Sequence, residues 1–99
     1  MPSTKPLTTK ELTKAQKELS VFTATPKATK LSATFTFKDH ISALVFIARV
    51  TVHAEVMQHH PDITYTYAQV KVNLTTHDAK GITSKDIKLA KKIETLCQK

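Results

Sequence analysis

The chain has 99 residues, of which 40% are hydrophobic and 23% are charged, and its formal net charge at pH 7 is +7. This length and composition predict one globular domain over residues 1–99, with residues 1–7 as a loose tail. The single glycine, Gly81, excludes phosphate-binding loops of the GxGxxG and GxxxxGK(S/T) types. The single cysteine, Cys97, excludes an internal disulfide and a multi-cysteine metal site.

The positive charge is spread along the chain in lysines at helical spacing, which is typical of solvated helix faces. No basic motif interleaves aromatic residues, so we do not expect nucleic-acid binding. The longest apolar run, Ala43–Ala48, is too short to cross a membrane, and the start of the chain lacks the apolar segment of a secretion signal. Together with the lone cysteine, these features predict a reduced, cytoplasmic protein, with the nucleus left open.

The first third of the chain predicts one helix and two strands. Residues 8–19 are predicted to be helical, because Thr8 and Glu11 have the spacing of a capping box. A short strand and a turn follow over residues 20–29. The strict alternation of apolar and polar residues over 31–37 then predicts a half-buried strand.

A longer second helix is predicted from Asp39, a suitable N-cap, to about Gln58. It is apolar on nearly every side, so its outer face cannot stay in water beside a single sheet. We therefore expect another copy of the chain to cover that face, in a homodimer or a homotetramer. Pro61 disfavours helical geometry at His60, so the helix must end at the histidine pair.

A hairpin of two strands is predicted next. A two-residue loop at Ala68–Gln69 would pair Tyr67 with Val70. In this register the end of the second strand, with His77, returns beside His60, which precedes the first strand.

The last helix is predicted to start at Thr83, with Asp86 three residues on. Its inward apolar residues are Ile87, Ala90, Ile93 and Leu96. The element order αββαββα predicts an α+β two-layer sandwich, in which three helices cover one face of a four-stranded antiparallel sheet.

Three interpretations compete for His59, His60 and His77. They could be surface side chains at loop ends. A zinc site would need three or four converging ligands, but neighbours in extended chain point to opposite sides, and His53 is poorly spaced to join His59. In the third interpretation they are general acids and bases. The unperturbed pKa of histidine is about 6.5, so its ring can give and take protons at cellular pH, and a helix C-terminus favours the protonated form.

The other polar candidates have simpler structural interpretations. Glu55 could be only a polar residue near a helix end, and Asp86 could be only a helix cap, although a capping carboxylate can also orient a histidine. Thr76 fits a strand and Cys97 a small buried position. With no nucleophile motif beside the histidines, the third interpretation predicts proton-assisted addition or elimination without a covalent intermediate.

The spacing of these residues resembles the pterin-4a-carbinolamine dehydratase family over roughly residues 31–96. The motif consists of Glu55-x-x-x-His59-His60-Pro61, then Tyr67, then Thr76-His77-x-x-x-Gly81-Ile82-Thr83-x-x-Asp86. The fixed positions and gaps together are more specific than any single piece.

The resemblance implies that the chain dehydrates 4a-hydroxytetrahydropterin to the quinonoid dihydropterin, without a metal or an added cofactor, in the recycling of tetrahydrobiopterin. His59 and His77 would be the general acids that help hydroxide leave the 4a carbon. His60 would complete the catalytic set, chiefly by binding and positioning the pterin. The family also implies dimers or tetramers built through the sheet edge and the long helix, and in some members a role as dimerisation cofactor of a homeodomain transcription factor.

The resemblance also implies a pocket lined by Glu55 and Thr76, with Asp86 orienting a histidine. The sequence departs from the family's pattern at Ile63, where tryptophan is usual, and near Ala33, where an arginine is usual. Ile63 can wall a pocket by apolar contact but cannot stack on a pterin ring. The competing hypothesis is an interaction module that keeps the pocket without catalysis.

Overall fold

The computed structural model describes residues 6–25, 29–76, 79 and 81–97. These residues form helices and strands in the predicted order αββαββα, an α+β fold. The elements are α1 (Thr9–Gln16), β1 (Thr23–Ala24), β2 (Leu31–Thr36), α2 (His40–Met57), β3 (Asp62–Thr66), β4 (Gln69–Leu74) and α3 (Ser84–Cys97).

The strands form one antiparallel sheet in the order β1-β2-β4-β3, with the helices packed on one face. Every second residue of the two central strands is buried against the helices: Leu31, Ala33 and Phe35 in β2, and Val70, Val72 and Leu74 in β4. Phe46 and Val50 of α2 and Leu89 and Ile93 of α3 fill the other side of the same core. The predicted two-layer sandwich is therefore confirmed.

The helix ends follow the capping residues in the sequence. The Thr8 hydroxyl accepts from the Glu11 N–H, and the Glu11 carboxylate accepts from the Thr8 N–H, which completes the predicted capping box. Asp39 caps α2 through the Ser42 N–H at 2.8 Å, also as predicted. The helix α1 ends earlier than predicted, at Gln16.

Two polar side chains hold the segment between α1 and β1. The Gln16 amide donates to the carbonyl of Phe22 and accepts from the N–H of Ala24, which draws the chain back after α1. The buried Glu94 carboxylate of α3 accepts from the N–H groups of Ser20, Val21 and Phe22 at 2.8, 2.6 and 2.8 Å. These contacts hold the chain after Gln16 in a non-helical course.

The predicted register of the β3–β4 hairpin is wrong by two residues. Tyr65, and not Tyr67, pairs with Val70, and the turn consists of Tyr67 and Ala68. Tyr67 has φ 49°, the left-handed conformation that two-residue hairpin turns require, although no glycine or asparagine marks it. A shift of two residues keeps every side chain on its predicted face.

The helix α2 is apolar on its outer side as well as its inner side. Ala43, Phe46, Val50 and Ala54 are buried in the core. The exposed apolar face, as we call it, consists of Ile41, Leu44, Val45, Val52 and Val56, which are 44% to 78% exposed. By length and composition alone this helix is long and apolar enough to span a membrane. The sequence predicted no membrane-spanning segment, because the longest uninterrupted apolar run within the helix is short. Because its inner side packs into the core, we interpret α2 as the core helix of the domain.

Candidate active site

His59 is turned into the protein by the way α2 ends. Gln58 adopts the left-handed conformation, with φ 54°, and the His59 N–H donates back to the Ala54 carbonyl at 3.0 Å. His59 is therefore 9% exposed, whereas the neighbouring His60 is exposed. The two adjacent histidines thus occupy different environments.

Asp86, in the first turn of α3, contacts His59 and caps its own helix at once. Its Oδ1 atom lies 2.5 Å from Nε2 of His59, and the Asp86 side chain has no exposed surface. Its Oδ2 atom accepts from the Thr83 N–H at 2.9 Å and from the Thr76 hydroxyl at 2.8 Å. The cap and the histidine contact, predicted as compatible alternatives, therefore coexist.

Thr83 belongs to this cluster, although the sequence indicated it only as a helix start. Thr83 is 1% exposed, and its Oγ1 atom lies 2.7 Å from Oγ1 of Thr76. The capping-box spacing of Thr83 and Asp86 could have identified Thr83 as part of the site. Such a spacing places the threonine next to the Asp86 carboxylate, and therefore near any side chain that the carboxylate binds.

Thr76 also pairs with Gly81 in an isolated antiparallel bridge. Its N–H donates to the Gly81 carbonyl at 2.9 Å, and its own carbonyl accepts from Gly81 and Ala79. Gly81 packs closely on Pro6, where an added Cβ would approach the proline Cβ to 3.3 Å. His77 itself lies outside the described residues, so its predicted position beside His60 stays a prediction.

His60 and Glu55 form a second, exposed pair. Nε2 of His60 lies 2.9 Å from Oε1 of Glu55, and both side chains are more than half exposed. The hydrogen bond from His60, followed by one from Gln58, lowers the pKa of the Glu55 carboxyl below its ordinary value. Glu55 is therefore held as an ionised carboxylate at the surface, in a pair whose histidine is the chain neighbour of the buried His59.

Ile63, the predicted apolar wall, lies on β3 opposite Val72 and is half-buried against the core. A groove of about 400 Å³ lies elsewhere, and its lining comes from the start of α2 and the end of α3. Among the described residues, no group of three or more His, Cys, Asp or Glu side chains is placed to hold a metal ion.

The described site therefore consists of a buried histidine–carboxylate pair with a hydroxyl network, next to an exposed histidine–carboxylate pair. The pattern of a carboxylate orienting an imidazole is one that proton-transfer enzymes use. The family model for pterin 4 alpha carbinolamine dehydratase matches residues 5–96, and the chain belongs to this family.

Relatives and solved structures agree with this assignment. A protein of Thermosynechococcus vestitus, provisionally named a pterin-4-alpha-carbinolamine dehydratase, is 49% identical over 67 residues, which cover 68% of this chain and 70% of the relative. A protein of the same provisional name from Nostoc punctiforme is 42% identical over 91% of this chain and 95% of its own.

A crystal structure from Brucella melitensis, described as a transcriptional coactivator/pterin dehydratase, superposes with a TM-score of 0.91 at 32% identity, over 94% of this chain and 99% of its own. A pterin dehydratase-like protein described as a RuBisCO assembly factor in the alpha-carboxysome superposes with a TM-score of 0.68 over 80% of this chain and 92% of its own. At 16% identity, the second likeness shows the fold alone.

Proposed function

We propose that this chain is a hydro-lyase that dehydrates 4a-hydroxytetrahydropterin to the quinonoid dihydropterin by histidine general acid–base catalysis, without a metal or an added cofactor. In this reaction the C4a–O bond breaks, the leaving hydroxyl takes a proton and departs as water, and a ring nitrogen loses a proton. One water is lost and no redox partner is needed. The chain would act in the cytoplasm, in the recycling of tetrahydrobiopterin.

The observation that carries the proposal is the contact between His59 and Asp86. A carboxylate that is hydrogen-bonded to one nitrogen of an imidazole fixes the orientation of the ring, and a fixed ring favours proton delivery to a leaving group. His59 is the proposed acid on one side of the pterin. His77 is the proposed acid on the other side.

The remaining residues have proposed binding roles. His60 would bind and position the pterin, with Glu55 as its partner, since their exposed pair offers both a donor and an acceptor to a ring rich in nitrogen. Thr76 and Ile63 would line the pocket. Because Ile63 supplies apolar contact without a stacking ring, we expect a higher KM than a tryptophan would give.

Stopped-flow absorbance tests this function directly. The carbinolamine is generated in place and mixed with the wild-type chain, with His59→Ala, or with His40→Ala, a histidine at the start of α2 that lies beside Tyr67 and outside the site. We expect acceleration by the wild type and by His40→Ala, and a loss of about 10²–10⁴-fold in His59→Ala. Equal rates for the two variants would refute the assigned acid, and no acceleration by any protein would refute the dehydratase.

A second candidate function is that of an interaction module. The exposed apolar face of α2 favours it, because such a surface is typical of a binding site for another chain. We propose that a second copy of this chain occupies the face in a homodimer or homotetramer, and that a transcription factor could also dock there. A chain that is monomeric and captures no helical partner would remove this candidate.

A further inference from the structure

The buried cluster at the start of α3 has a fixed direction of hydrogen bonding. A carboxylate only accepts, and the Asp86 carboxylate faces three groups that can donate: Nε2 of His59, the Thr76 hydroxyl and the Thr83 N–H. A threonine hydroxyl has one hydrogen to donate. Because the Thr76 hydroxyl gives that hydrogen to Asp86, it can only accept from the Thr83 hydroxyl.

The direction defines a chain of donors that ends at the carboxylate. The Thr83 hydroxyl donates to Thr76 over 2.7 Å, and Thr76 donates to Asp86 over 2.8 Å. The Thr83 N–H donates to the same Oδ2 atom over 2.9 Å. Thr83 thus supports one oxygen of Asp86 by two routes, which leaves Oδ1 to accept from His59.

We propose that Thr83 is a positioning residue, which through Thr76 and Asp86 holds the His59 ring with its proton on Nε2. Nδ1 of His59 has no hydrogen-bond partner among the described residues, so it is the nitrogen left to exchange protons with a ligand. Without the Thr83 hydroxyl, the Thr76 hydroxyl loses its donor and can rotate away from the carboxylate. The carboxylate can then turn, and the ring loses its single orientation.

The inference rests on the proposed dehydratase for its catalytic consequence, but its structural half can be measured without substrate. Long-range ¹H–¹⁵N correlation spectra identify which ring nitrogen of His59 carries the proton. We expect the wild type to show the Nε2–H form alone wherever the ring is neutral. We expect Thr83→Val, which replaces the hydroxyl by a methyl group, to show both tautomers in exchange.

The activity readout is the split between kcat and KM. We expect Thr83→Val to lower kcat about tenfold with little change in KM, because a misplaced acid affects the transition state more than binding. Thr95→Val is the matched control, since Thr95 is an exposed threonine of α3 whose hydroxyl donates to the Lys91 carbonyl. It should leave both the tautomer and kcat at wild-type values.

A second pair of variants decides the matter if Thr83→Val does not fold. Thr83→Ser and Thr83→Ala both lack the methyl group and differ mainly in the hydroxyl, so the serine variant should restore the Nε2–H form and raise kcat about tenfold above alanine. A single Nε2–H tautomer in both the valine and alanine variants would overturn the inference. If the wild type accelerates no dehydration, the proposed function fails, while the tautomers still decide whether Thr83 sets the ring.

Discussion

Nε2 of His59 and Oδ1 of Asp86 lie 2.5 Å apart, although the two residues are 27 positions apart in the chain. The contact joins the end of α2 to the first turn of α3, on the side of the sheet where the helices pack. It couples a helix cap to a titratable ring, so a change at Asp86 affects the fold and the proposed chemistry together.

Asp86→Asn should lower both stability and activity. An amide offers one accepting oxygen to the three donors that face Asp86. Either a buried donor loses its partner, at a cost of about 1–3 kcal/mol, or His59 must give up its Nε2–H form to accept from the amide. We expect a lower Tm and a fall in kcat of about 10²-fold. Asp62→Asn, the same change at an exposed position of β3, is the control. If the two variants have the same Tm, the cluster around Asp86 does not stabilise the fold.

Glu94→Gln should destabilise the packing of the α1–β1 segment on α3. The carboxylate accepts three backbone N–H groups, and an amide would turn its own N–H₂ group toward at least one of them. We expect a loss of about 2 kcal/mol in the free energy of unfolding, measured by urea denaturation. Glu18→Gln is the control, since exposed Glu18 forms an ion pair with Lys91 and surface pairs contribute little. A similar urea midpoint for both variants would contradict the assignment.

The Glu55–His60 pair predicts a pH effect with a definite sign. The folded pKa of Glu55 is lowered, chiefly by the hydrogen bond from His60, so the pair stabilises the fold above the ordinary glutamate pKa of about 4.3. This contribution is lost as the pH falls through the lowered folded pKa. In a ¹³C titration of the Glu55 carboxyl, His60→Ala should raise the pKa toward its ordinary value, and His53→Ala should not. An unchanged pKa in His60→Ala would remove His60 as the cause.

Local patterns predicted most of the fold correctly. The caps of α1 and α2 follow from Thr8, Glu11 and Asp39, because a cap contacts residues only three positions away. The hairpin register was not determined, because the alternation of apolar residues fits two registers that differ by two positions, and nothing in the sequence marks the left-handed Tyr67.

The contacts that the sequence could not predict join distant parts of the chain. Glu94 binds N–H groups more than seventy positions away, and its place in a helix gives no sign of this. The sequence placed Thr83 and Asp86 together at the helix start, but only the tertiary fold brings Thr76, which follows β4, to them. The residue types of the site were therefore predictable, and their connections were not.

The exposed apolar face of α2 predicts that the chain associates with itself through this helix. Val52 and Val56 are 61% and 78% exposed, and apolar surface of this extent is costly in water. Val52→Asp would place a carboxylate in the proposed interface, which opposes association because burying a charge carries a desolvation cost. We expect sedimentation velocity to show a dimer or tetramer for the wild type and a folded monomer for Val52→Asp. Thr95→Asp, which adds the same charge on α3, should keep the wild-type mass. A monomeric wild type, or an unchanged mass in Val52→Asp, would show that copies of this chain do not cover the face.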